Sequence, residues 1–201
     1  MSTSSVSTPM RGPRLVALFM SFAWGVIALA VAISAQVKSD DSEDSLKRLV
    51  PQGTTLTINS GDVRSSGTVI AVVSGIIALL SFIYIVLILF FSNLATRSLP
   101  IQWASLAFLA VWLFATQIPF TVFFANREAQ VTIVANGVTL PSVLVNQLEQ
   151  SLGVTPVYRH IDYLRLVAVL PWITFLFTVI GAVVSFSASR RRKSFVRNSK
   201  V

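Results

Sequence analysis

"TVIAVVSGIIALLSFIYIVLILFFSNLAT", residues 68–96, contains no charged side chain. A helix crosses a hydrocarbon layer of roughly 30 Å with about 20 apolar residues, so this stretch is long enough to span a membrane. It is also apolar on every side, unlike a surface helix with a single apolar stripe. Leu15 to Ala35, Ser98 to Asn126 and Leu166 to Ser189 repeat the pattern, each without a charge. The whole chain is 54% hydrophobic and 12% charged, with mean hydropathy +0.74, whereas a soluble domain carries about 25% charged residues. The surplus therefore marks spans, not an enlarged core. The expected fold is an all-α integral membrane domain, 15–189, built as an up-down bundle of four transmembrane helices at about 15–35, 68–92, 101–124 and 166–189. A disordered cytoplasmic tail, 1–14, precedes it, outer loops occupy 36–67 and 125–165, and a basic cytoplasmic tail, 190–201, follows.

Charge sets the orientation, because cytoplasmic segments are enriched in Lys and Arg. With the N-terminus inside, the inner segments hold Arg11, Arg14, Arg97, Arg190, Arg191, Arg192, Lys193, Arg197 and Lys200 and no acid. The outer segments hold seven cations against eight acids, consistent with the net charge of +8. Both termini are thus expected in the cytoplasm, at the plasma membrane or an endomembrane. Arg11 and Arg14 before an apolar run also fit a signal peptide, with "AISAQ" as a cleavage site. A signal core is about 7–15 residues, and the longer run favours a retained helix.

The cluster Arg190, Arg191, Arg192 and Lys193 follows directly on the fourth span. Its expected role is to orient that span and to contact anionic lipids of the cytoplasmic leaflet, which attract juxtamembrane cations by about 1 kcal/mol each. Cations held at a membrane surface are poorly placed to approach a duplex, so nucleic acid is not an expected partner. Ser194 follows two basic residues and precedes Phe195. It is a candidate phosphosite, and modification would add about −2 charge and loosen the tail from lipid. "SKV" at 199–201 fits a loose PDZ-ligand pattern.

Helices in lipid associate through close packing and polar contacts, since hydrocarbon provides no hydrophobic drive. Small residues at spacing four mark candidate packing stripes: Ser21 and Gly25, then Ala28 and Ala32; Gly67, Ala71 and Gly75; Gly181, Ser185 and Ser189. The Gly67, Ala71, Gly75 stripe is the strongest of these on sequence. In the third span Gln117 precedes Pro119 by two residues. Proline removes a backbone donor and disturbs the preceding turn, so Gln117 is expected to bond a freed carbonyl or a neighbouring helix. The alternative makes it part of a polar pathway, for which Gln102, Ser74 and Ser81 are the other candidates. No acid or base lies near a span midplane, where transport sites usually carry one. Asp162 and Arg165 read as an interfacial ion pair, and Trp103, Tyr158, Tyr163 and Trp172 as interfacial aromatics.

In the first outer loop, "DDSEDS" lacks the spacing of a calcium loop and reads as a solvated linker; a short strand is expected near 54–58. In the second loop Asn136-Gly137 sits between two β-prone runs, a hairpin signal. Ser142 and Gly153 bracket a short amphipathic helix with Val145, Leu148 and Leu152 on one face. The fold class is therefore completed by a small extracytoplasmic β-hairpin and short-helix element.

Four spans, internal termini, a short inner loop and two outer loops with a strand and a hairpin resemble MARVEL-like and claudin-like four-helix membrane proteins. The resemblance is one of topology over most of the chain, and no site residue carries over from it. It implies a lateral organiser or adhesion-type protein that is not an enzyme, with a second copy or other membrane proteins as partners.

His160 and Asp162 lack the nucleophile and oxyanion site of a triad, one histidine without helically spaced ligands makes no metal site, and no phosphate-binding glycine loop occurs. No catalytic residue, metal or cofactor is expected. The expected function is structural or organising; the alternative is a transporter, channel or accessory subunit of a transport complex.

Overall fold

The computed structural model describes the backbone of residues 10–49, 54–59, 61–126, 130–135, 138–139 and 162–198, and side chains at 10–41, 44, 64–126 and 164–191. In chain order the elements are α1 (Arg11–Leu49), β1 (Thr54–Asn59), α2 (Gly61–Phe90), α3 (Ser92–Arg97), α4 (Leu99–Asn126), β2 (Gln130–Ala135), β3 (Val138–Thr139) and α5 (Asp162–Asn198). The segments Arg11–Asp41, Arg64–Phe90, Leu99–Asn126 and Leu164–Arg191 are long and apolar enough to cross a membrane.

Several boundaries differ from the sequence expectation. The acidic run expected to open the first outer loop as a linker is helical, because α1 continues through it to Leu49. Once a helix is nucleated, each added residue needs only to contribute one more bond. No Gly or Pro interrupts 36–49, and Glu43/Lys47 and Asp44/Arg48 stand at the supportive i, i+4 spacing. Pro51 then disfavours helix at the residue before it. The basic tail is likewise helical as far as Asn198, in keeping with the good helix propensity of Arg and Lys and their favourable place at a helix C-terminus. The short inner loop is itself a helix, α3. Its bonds nearly bridge α2 to α4: Phe91 N–H donates to Leu87 O, Ala95 to Phe91 O, Ser98 to Leu94 O and Gln102 to Ser98 O. The short helix expected at 142–153 lies outside the described residues.

The chain forms two compact units, one of Met1–Leu29, Val72–Ala115 and Leu170–Val201, the other of Ala30–Ala71 and Thr116–Val169. In the first, α1 runs antiparallel to α2, with Gly25 against Ala78 and Gly75 against Leu29. It also runs antiparallel to α5, where Trp24 stacks on Phe177 with centroids 6.4 Å apart. The α4–α5 pair is antiparallel too, with Trp103 edge-on to Phe186 and Phe114 beside Phe175. Leu18, Tyr84, Ile88, Ala95, Leu106 and Ala182 form the unit's apolar core. The outer surface inverts the polarity of a soluble protein: Phe90 is 74% exposed and Ile101 and Val111 are each 67% exposed, while Ser21, Ser74, Ser81 and Gln102 are completely buried. A coat of large apolar side chains suits lipid and would be a liability in water.

In the second unit α1 and α2 meet again. Gln36 Nε2 donates to Thr68 Oγ1 at 2.8 Å, and Arg64 pairs with Asp40 at 2.9 Å. The three strands form a sheet in the order β1-β2-β3. β1 and β2 are antiparallel from Thr54↔Ala135 to Asn59↔Gln130. β2 and β3 pair antiparallel through Val134↔Thr139 and Ala135↔Val138, the residues flanking Asn136-Gly137.

Among the described glycines the tightest is Gly25, where an added Cβ would sit 3.2 Å from Ala78 Cβ, Ala78 N and Ser74 O. Backbone atoms cannot move aside as a side-chain end can. Gly25→Val should therefore lower stability by about 1–3 kcal/mol. Gly12→Ala, which meets nothing within 4 Å, should change it by less than about 0.5 kcal/mol. Reversible unfolding in mixed micelles measures both, and equal losses would refute this account of the packing.

Candidate functional site

The described polar groups of the first unit concentrate between helices. Arg14, one turn into α1, is completely buried, and its Nη2 donates to Gln102 Oε1 on α4 at 2.8 Å. Gln102 is held in turn by α3 and the turn after it: Nε2 donates to Ser98 Oγ at 2.8 Å and to Ala95 O at 3.3 Å. Gln102 O accepts from Ser105 Oγ, which lies 2.7 Å from Tyr84 Oη on α2. One polar chain thus links α1, α4 and α2. The sequence marked Arg14 only as an orientation charge and Gln102 only as a pathway candidate. Two long polar side chains near the ends of apolar runs are the signal that could have paired them.

Farther along, hydroxyls tie helices to the main chain of their neighbours. Ser21 Oγ donates to Phe177 O at 2.9 Å, and Thr174 Oγ1 to Trp24 O at 3.0 Å. These reciprocal bonds join α1 and α5. Thr174 and its neighbour Thr178, whose hydroxyl donates to Thr174 O at 2.7 Å, escaped the sequence reading because threonine is unremarkable in an apolar run.

The small-residue positions vary in how closely they are approached. Beyond Gly25, a Cβ on Gly181 would lie 3.3 Å from Ser21 Oγ, one on Gly75 3.5 Å from Leu29 Cδ2, and one on Gly67 3.6 Å from Phe120 Cε2. The stripe ranked first on sequence, Gly67, Ala71 and Gly75, is therefore in ordinary van der Waals contact, while Gly25 is tighter. Ala28, Ala32, Ala71, Ser185 and Ser189 are buried. Spacing identifies a stripe but says nothing of what stands opposite it.

Gln117 bonds the neighbouring helix α5. Its Nε2 donates to Ala168 O at 2.8 Å and reaches Val167 O at 3.4 Å, both on α5. Pro171 lies inside α5 and has no N–H to give Val167, the residue four before it. The amide of α4 thus serves the turn that a proline in α5 leaves short of a donor. Pro119 lies inside α4, which continues to Asn126.

Of the remaining positions, Arg190 lies over the Phe186 ring, 4.8 Å from its centroid, and Arg191 is exposed. Arg192, Lys193 and Ser194 continue the α5 backbone, with side chains outside the described residues. His160, Tyr158, Ser199 and Val201, and the side chains of Asp162 and Tyr163, also lie outside them. Trp103 and Trp172 are both packed edge-on against neighbouring rings, Phe186 at 5.2 Å and Phe114 at 5.8 Å. Among the described residues no group of His, Cys, Asp and Glu is arranged to hold a metal ion.

These features define an integral membrane protein of four spans. No family model matches the chain, and neither does any curated protein or solved structure.

A double-mutant cycle tests the proline assignment. Gln117→Leu should cost about 0.5–1.5 kcal/mol in the parent chain, the scale of an interhelical hydrogen bond in lipid. In Pro171→Ala, where residue 171 regains a donor for Val167 O, the cost should fall, the part due to the 2.8 Å bond to Ala168 O remaining. An unchanged cost, read from unfolding in mixed micelles, would break the link between the two residues.

Proposed function

We propose that the chain is a non-enzymatic structural or organising protein of adhesion type, with the MARVEL-like or claudin-like outline and both termini in the cytoplasm. The observation that carries this reading is where the interhelical polar groups end. Ser21, Thr174 and Gln117 each donate to a main-chain carbonyl of a neighbouring helix, so they serve as adhesive between spans and do not line a path. Orientation is supported by the way charge divides between the compact units. The first unit holds nine cations and no acid, the second all eight acids with seven cations. The first unit then faces the cytoplasm, and the sheet β1-β2-β3 is extracytoplasmic and offers the recognition surface. Its partners are a second copy or other membrane proteins, and anionic lipids of the cytoplasmic leaflet engage the cations at the end of α5. The membrane is the plasma membrane or an endomembrane.

A transport reading draws on the buried hydroxyls of Ser74, Ser81 and Ser185, which have no hydrogen-bond partner among the described residues. Purified chain in proteoliposomes should leave ion and solute flux at background. Exchanging residues 125–162 for an unrelated sequence of equal length should disperse its assemblies in native membranes. Flux above background together with undisturbed assemblies would replace the organising reading with transport.

The absence of cysteine makes orientation directly measurable. In intact cells or right-side-out vesicles, Asp44→Cys should react with an impermeant maleimide, and Leu94→Cys only after permeabilisation. The opposite pattern would invert the topology.

A further inference from the structure

Among the described residues, Arg14 is the charged side chain that is completely buried. Its contact with Gln102 satisfies Nη2 alone. Nε and Nη1, which carry three of the five guanidinium N–H bonds, meet no acceptor among the described residues. Gln102 cannot balance the charge, because an amide oxygen carries none, and its own Nε2 is turned to Ser98 and Ala95. No acidic side chain belongs to this unit. A guanidinium keeps its proton, and an ion removed from water without a counter-ion is far costlier than an unpaired neutral group. The negative charge that accompanies Arg14 must therefore come from outside this unit's side chains.

We propose that Arg14, held in place by Gln102, is a binding site for a phosphate oxyanion, carried by the headgroup of an anionic phospholipid or free in solution. The guanidinium is planar and presents its donors as a fork that matches phosphate oxygens. Arg14 stands one turn from the start of the first span, the depth of a headgroup and not of the midplane. Arg11 and Arg97, in the same unit, are exposed and add attraction for anions. The site differs from the basic cluster at 190–193 in kind: that cluster recruits lipid by charge at the surface, whereas Arg14 engages a single anion between helices. It does not depend on what the outer loops recognise.

The test uses the full chain in neutral detergent with Arg190, Arg191, Arg192 and Lys193 all changed to Gln, which removes binding by that cluster. Dioleoylphosphatidylglycerol should raise the melting temperature of this chain more than dioleoylphosphatidylcholine does. Arg14→Gln should weaken that response at least about tenfold in lipid concentration. An equal rise with inorganic phosphate alone assigns the site to free phosphate instead of the lipid. No rise with either anion, or a rise undiminished in Arg14→Gln, overturns the proposal. If Arg14→Gln does not fold, native mass spectrometry of the tail-neutralised chain decides. One retained phosphate-bearing molecule per chain supports the site, and none overturns it.

Discussion

Hydrocarbon neither donates nor accepts a hydrogen bond. Every N–H and C=O within a span must therefore find its partner inside the protein. That constraint makes the spans helical, and it also explains the choice of polar side chains between them. Where the helix ladder is intact, a hydroxyl adds a second bond to a carbonyl already in use, as Ser21 does to Phe177 and Thr174 to Trp24. Where proline removes a donor, a longer amide is needed, as Gln117 supplies for the turn before Pro171. Close approach at Gly25 belongs to the same economy of space, because dispersion between touching backbones is one of the few attractions that lipid does not equal.

The four spans were legible because twenty or so uncharged apolar residues have few other readings. Their ends were not, because the signals that stop a helix are local and the expected boundaries followed charge. The run from Lys38 to Arg48 is polar and yet helical. Its i, i+4 pairs and lack of Gly or Pro were visible in the sequence, but a hydropathy boundary outweighed them. The inner connection was short enough to pass for a loop; burial of Ala95 and Leu99 goes with α3 lying against the apolar core. Packing stripes could be located by spacing, whereas their relative tightness depended on the opposing atoms, Ala78 and Ser74 for Gly25 and only a ring edge for Gly67. Gln117 donates to carbonyls of α5, and the proline beside those carbonyls stands on a different helix from Pro119.

The segregation of charge is the feature that links sequence to chemistry most directly. A biased loop composition is ordinarily a signal read during insertion. Here the same bias persists in the folded protein as a unit with cations and no carboxylate, and it leaves the buried Arg14 without a counter-charge among the side chains of its own unit. A neutral amide such as Gln102 can orient such a cation but cannot neutralise it. The proposed orientation and the proposed anion site then rest on one observation, the distribution of sixteen basic residues.

The length of α1 has a structural meaning. Thirty-nine residues at about 1.5 Å each extend about 58 Å, nearly twice the hydrocarbon thickness. No glycine or proline occurs in its second half, so it has none of the usual points at which a helix bends. The acidic portion beyond the apolar run therefore continues the span as helix and does not leave it as a separate loop.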